Sequence, residues 1–172
     1  VLPGLGSGIA YFEEHIQAKS RGEIKMKVYE PGKLLAPFEI LDSVSKGKVN
    51  SGYSVSGYWA GKISEATIFS GGFPFAASPM DHYDWIMNKG GLERYQRMYD
   101  SHGYNVKVIP MGLTGPECFG WFKRPIHDAS DFKGLRMRFF GLGGYVMKKM
   151  GASTSLLPGG EIYPALEKGV LD

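Results

Sequence analysis

The stretch Phe132–Asp172, FKGLRMRFFGLGGYVMKKMGASTSLLPGGEIYPALEKGVLD, decides the fold, because it sets cationic side chains at the mouth of a strand–loop–helix unit. Leu135, Met137 and Phe139 alternate with Arg136, Arg138 and Phe140, a period of two that predicts a strand with its apolar set inward and both arginines on the other face. Arg138 stands nearer the C-terminal end of that strand, where the chain breaks into Gly141-Leu142-Gly143-Gly144. Crevices in open α/β sheets form outside such strand ends. Arg138 is therefore the ligand candidate and Arg136 the solvent-facing arginine. The glycines allow a sharp bend, and Val146, Met147 and Met150 at helical spacing predict a helix whose first N–H groups point back at the same crevice. A second unit repeats the logic: a strand over Thr154–Leu157, the break Pro158-Gly159-Gly160, then a helix from Glu161 to Lys168 with Ile162, Ala165 and Leu166 as its stripe and Gly169 just past its end. Pro164 falls in the first turn of that helix, where a missing N–H costs little.

Working upstream, the residues around Gly4, Gly6 and Gly8 predict a loop, and Ile9, Phe12 and Ile16 an amphipathic helix ending near Arg21-Gly22. Alternation over Ile24–Tyr29 predicts a strand. Glu30-Pro31-Gly32 turns the chain, and Phe38, Leu41 and Val44 predict a helix stopped at Gly47. A short strand over Val49–Val55 runs into Ser56-Gly57-Tyr58-Trp59. Strand, helix, strand in succession is the pattern of an α/β protein with a mostly parallel sheet and right-handed crossovers. Beyond it, Ile68-Phe69 reads as a buried strand end, Phe73-Pro74-Phe75 as an aromatic turn, Asp81–Asn88 and Leu92–His102 as helices, and Val106–Met111 as a strand. Leu113–Gly120, glycine-broken and aromatic, is the crossing between a first lobe (residues 1–116) and the beginning of a second (117–172).

These segments resemble the extracytoplasmic solute receptors of tripartite ATP-independent periplasmic (TRAP) transporters, the DctP-like family. The blocks KGLRMRFFGLGGYVMKKMGA and LPGGEIYPALEKGVLD match the family's arginine strand, glycine turn and GGE-Ile-Tyr helix, in order and at the family's separation. KVYEPGKL, SGYWAGK, the FPF turn and TGPECFGWFKRPI extend the resemblance over essentially the whole chain, and TGPECFGWF together with SGYWAGK is most similar to the branch that binds 2-oxo and 2-hydroxy monocarboxylates. The resemblance implies a periplasmic-binding-protein type II-like two-lobe fold, incomplete here, since such receptors run to roughly twice this length. It implies capture of a small carboxylate such as pyruvate or lactate, hand-over to the membrane subunits of a TRAP system, a periplasmic location and no catalysis. A C4-dicarboxylate receptor of the same family is the nearest alternative, and a homodimer is left open.

Residue by residue, the resemblance makes Arg138 the anchor of the substrate carboxylate. A guanidinium offers a planar donor fork that matches a carboxylate bidentately. The competing reading is a surface arginine, or one paired to a structural acid such as Glu117. Glu117 stands where similar receptors usually carry glutamine in contact with the ligand and often with a bridging cation; glutamate there repels a carboxylate unless a proton, Arg138 or a Na⁺ or Ca²⁺ ion intervenes. A salt-bridged hinge glutamate explains the residue equally well. Tyr58 and Trp59 are pocket-wall candidates by resemblance, whereas Phe73, Phe75, Phe119 and Trp121 are assigned to packing.

Other chemistries find less support. Net charge is +3 with the basic residues scattered, which does not argue for a nucleic-acid face. No run approaches the ~20 apolar residues of a membrane span. A secretory leader is not visible before Val1. The four histidines lack metal spacing, and the single cysteine, Cys118, has no identifiable base and is expected as a small buried hydrophobe. A nucleotide-dependent oxidoreductase using Gly141–Gly144 is the rival class, but Val146 stands where its third glycine or alanine belongs and the acidic residue about 20 positions on, Glu161, opens a helix rather than ending a strand.

Overall fold

In the computed structural model, residues 3–70, 75–115, 118–139 and 141–172 are described. The first hydrophobic cluster gathers Leu41, Trp59, Ile63, Ala66, Met98 and Tyr99, drawn from helix α2 (Ile40–Ser45), the 3-10 turn Ser56–Trp59, the link after it, helix α3 (Ala66–Ser70) and helix α5 (Gly91–Ser101). Along α5, Met98 and Tyr99 are buried and Leu92 and Tyr95 half-buried. Helix α4 (Pro79–Asn88) precedes α5, with Ser78 as its N-cap accepting from the Asp81 N–H at 3.2 Å. Helix α1 spans Pro3–Lys19 and takes in Gly4, Gly6 and Gly8, where a loop is expected from the glycines. A proline at the first position is compatible with a helix start, and the apolar spacing from Ile9 onward carries the rest.

A second cluster gathers Phe132, Leu135, Met137, Met147 and Ala152. It is the core of the carboxyl-terminal unit: strand β1 (Arg136–Arg138), helix α6 (Gly141–Lys149), strand β2 (Ser153–Ser155) and helix α7 (Ile162–Glu167). The two strands are parallel, with Arg136 opposite Ser153, Met137 opposite Thr154 and Arg138 opposite Ser155. Along β1 the alternation holds: Arg136 is exposed, Met137 buried and Arg138 half-buried. The unit is thus a β–α–β crossover between parallel strands, the connection expected of an α/β protein.

Several predicted strands differ. Residues 25–30, 51–55 and 104–115 run without helix or ladder among the described residues. Side chains satisfy part of their backbone in place of a neighbouring strand. The Gln96 amide donates to the Val106 carbonyl at 2.8 Å and accepts from the Val108 N–H at 2.9 Å. The Val28 N–H likewise donates to the Glu13 carboxylate at 3.2 Å. Ile68-Phe69, expected as a strand end, lies in α3, where the Phe69 ring stacks on Tyr95 at 4.3 Å and 6°. None of the described helices is long and apolar enough to cross a membrane.

Candidate functional site

The site is built at the C-terminal end of β1. The ladder continues one residue past the strand, with the Phe139 N–H donating to the Ser155 carbonyl at 3.0 Å, so the backbone leaving Arg138 is held. Arg138 Nε donates to the Leu157 carbonyl at 3.0 Å, which fixes the plane of the guanidinium against the segment after β2. Helix α6 then begins at Gly141, earlier than the loop-then-helix reading placed it. Gly141 has φ +63°, open to glycine at little cost. At Gly143 a Cβ would stand 2.3 Å from Cε1 of Phe139, so that glycine lets the ring lie on the first turn of the helix. The two glycines at the strand exit do different things: one turns the chain and the other admits a side chain.

Arg136 takes the opposite role. Its Nε and backbone N–H both donate to Asp172 Oδ2 at 3.0 Å and its Nη2 donates to Oδ1 at 2.6 Å, a bidentate pair at the exposed edge. The Arg136 guanidinium holds the Asp172 carboxyl well below the usual range, at about 2. Asp172 in turn donates its N–H to the Arg136 carbonyl at 2.9 Å. Nothing in the local pattern pointed to this partner, 36 positions away.

Tyr58 and Trp59 sit on the 3-10 turn, and only one of them has an outward position. Trp59 is 4% exposed within the first cluster, while Tyr58 is half-buried, edge-on to Phe38 at 5.1 Å and to Trp59 at 6.3 Å. Ser56 Oγ donates to the Ala66 carbonyl at 2.7 Å and ties that turn to α3. Burial pushes the hydroxyls of Tyr95 and Tyr99 upward, so the aromatic layer behind the turn stays neutral. Thr67, on α3, reaches the second unit: its Cγ2 lies 3.3 Å from the position a Cβ on Gly141 would take. Sequence reasoning missed Thr67, a small polar residue with no pattern to mark it.

Glu117 and Phe73 lie outside the described residues. Phe75 and Trp121, assigned to packing, are instead exposed, as is Cys118, expected to be buried. Phe75 adopts a left-handed φ of 60° at a turn, and Cys118 lies on the crossing segment with Trp121 just past its end, in connecting chain where exposure is usual. Phe119 is also exposed yet keeps ring contacts with Phe132 at 5.5 Å and Phe139 at 6.1 Å. Among the described residues no three His, Cys, Asp or Glu side chains converge on a point that a cation could occupy. An open cleft of about 270 Å³ lies at the other end of β1, lined by Phe122, Lys123, Lys133 and Asp172, away from Arg138. A second, of about 600 Å³, runs along α4 and α5.

Among the described residues, the site therefore centres on an arginine oriented at the end of a parallel strand, beside the start of a helix. The chain belongs to the bacterial extracellular solute-binding protein family 7, the DctP family, whose pattern it matches over residues 5–172. It is 39% identical over 159 residues to a monocarboxylate 2-oxoacid-binding periplasmic protein of Nostoc, covering 92% of this chain and 43% of that one. Among solved structures it resembles a TRAP periplasmic solute-binding protein of Pseudoalteromonas atlantica with bound sodium and pyruvate, at TM-score 0.91 and 32% identity over 98% of this chain and 50% of that one. A TRAP transporter solute-binding protein of Bordetella bronchiseptica, with calcium and picolinate in one site of a mixed-occupancy dimer, gives TM-score 0.93 and 30% identity over 99% of this chain and 50% of that one. The chain therefore spans about half the length of the relatives it matches.

Proposed function

We propose that the chain is part of an extracytoplasmic receptor that captures a small 2-oxo or 2-hydroxy monocarboxylate and delivers it to the membrane subunits of a TRAP-type transporter. Residues 1–116 form most of one lobe and residues 117–172 begin the other; the separation of the two hydrophobic clusters supports that division. The observation that carries the reading is Arg138, half-buried at the C-terminal end of β1 with its guanidinium plane fixed by Leu157. A fork held in one orientation loses less entropy on gripping a carboxylate than a free one. Tyr58 supplies part of the apolar wall, and Trp59 holds Tyr58 from behind. Glu117 contributes an oxygen to a Na⁺ or Ca²⁺ ion that neutralises the meeting of two carboxylates. The opposing wall and the remaining cation ligands come from the part of the relatives that this chain does not span. No catalysis is proposed, and the site is periplasmic.

The oxidoreductase alternative asks the Gly141–Gly144 backbone to lie open to a pyrophosphate. Instead, Phe139 covers Gly143, and Gly141 meets Thr67. Thermal shift of the full-length protein with pyruvate, lactate, branched 2-oxo acids, C4-dicarboxylates and NAD separates the readings. Ligand at 100 times its Kd stabilises by about 2.7 kcal/mol. Monocarboxylates are expected to raise Tm most; a rise with NAD alone overturns the proposal, and a rise with C4-dicarboxylates alone reassigns the substrate within the family.

A further inference from the structure

Helix α3 and the start of α6 come together where Thr67 meets Gly141. On one side Thr67 is 2% exposed, and its Oγ1 donates to the Ser64 carbonyl at 3.1 Å. Helix α3 around it is tied down by the Ser56–Ala66 bond and by the Phe69–Tyr95 stack. On the other side Gly141 is coupled to β1 through the Phe139–Ser155 ladder bond and through Phe139 lying on the turn of Gly143. A Cβ at Gly141 would stand 3.3 Å from Thr67 Cγ2 and 3.6 Å from Thr67 Cβ, so the threonine methyl fills the place where a side chain would go. Gly141 is three residues past Arg138, which puts the contact within about 10 Å of the Arg138 backbone.

We infer that the Thr67–Gly141 contact is the steric stop between the two units, and that the size of the side chain at position 67 selects the length of the acid held by Arg138. The inference rests on the receptor reading above. Because both neighbours are held, extra bulk at Thr67 is not absorbed locally, since packed interiors transmit strain. It lifts α6, and with it the end of β1 that carries Arg138, away from the first unit. A wider gap favours longer acids and weakens the grip on short ones.

The contact is tested without any ligand by pairing Thr67→Cys with Gly141→Cys in full-length protein carrying Cys118→Ser. A Cβ separation of 3.6 Å lies inside the range of about 3.5–4.5 Å that a disulfide spans. Loss of both free thiols on mild oxidation, with a circular dichroism spectrum like the parent's, is expected; two thiols that persist in the folded protein overturn the contact. Selectivity is tested separately by titrating Thr67→Leu and Thr67→Val. The leucine variant should lose tenfold or more in affinity for pyruvate while losing little for branched 2-oxo acids, and the near-isosteric valine variant should keep the parent's preference. An unchanged ratio of the two acids in Thr67→Leu overturns the role in selection. A parent that binds no 2-oxo acid refutes the receptor reading; the disulfide then decides the stop alone, and its formation supports it. If Gly141→Cys fails to fold because of its left-handed backbone, the Thr67 titrations decide.

Discussion

Two arginines two positions apart do opposite work, and the difference lies in what each meets. Arg138 donates through Nε to the Leu157 carbonyl, which orients its guanidinium; Arg136 is locked to the Asp172 carboxylate. Replacing Arg138 with Met should weaken carboxylate binding by about a hundredfold, because charge-assisted bonds contribute about 1.5–3 kcal/mol each, and Arg138→Lys should recover only part of it because the fork is gone. Isothermal titration measures both, and a Kd within threefold of the parent would sink the assignment. For Arg136–Asp172 the signature is in stability. The folded-state carboxyl sits at about 2, below the ordinary aspartate value of about 3.9, so the pair's contribution is full above the ordinary value and is lost as pH falls through about 2. Asp172→Asn should therefore lower Tm slightly at neutral pH, less so in high salt, and the difference from the parent should close as melts are taken down toward pH 2. The difference in exposure between the two arginines was legible from the strand pattern. Asp172 as a partner was not, because a contact across 36 positions leaves no local trace.

At the level of elements, the helix ends were the most readable feature: Gly47, Gly90 and Gly169 follow α2, α4 and α7 with φ of 68°, 80° and 68°. The β–α–β unit was also readable, because its alternation and its glycine break follow from local chemistry. The extended segments were not, since alternation predicts an exposed and a buried face but not which groups satisfy the backbone. At 106–108 that partner is a glutamine from α5, a solution no period encodes. The role of Gly143 also appears only in the folded chain. Gly143→Ala sets a methyl against the Phe139 ring and should cost about 1–3 kcal/mol, as overpacking does, visible as a lower midpoint in urea. Adding Phe139→Leu should return most of that loss, a non-additivity expected of touching residues. Equal and additive losses would mean that the ring moves aside freely.

On the scale of the whole molecule, the proposed receptor has to balance charge where it holds a short acid. A carboxylate ligand gripped by Arg138 and approached by Glu117 brings two negative charges to one guanidinium. At a separation of about 4 Å and an effective dielectric near 20, the repulsion is about 4 kcal/mol, comparable to the whole benefit of the arginine fork. A cation bound between the two carboxylates reverses that sign. The proposed bridge therefore predicts that removing Na⁺ and chelating Ca²⁺ weakens pyruvate binding by a hundredfold or more, restored on adding either ion back. Glu117→Gln removes one of the opposing charges, so in metal-free buffer it should bind pyruvate more tightly than the parent, while gaining less when the ion returns. That crossing is specific to a bridging carboxylate: a glutamate engaged only in a hinge salt bridge would leave the parent's affinity the same with and without metal.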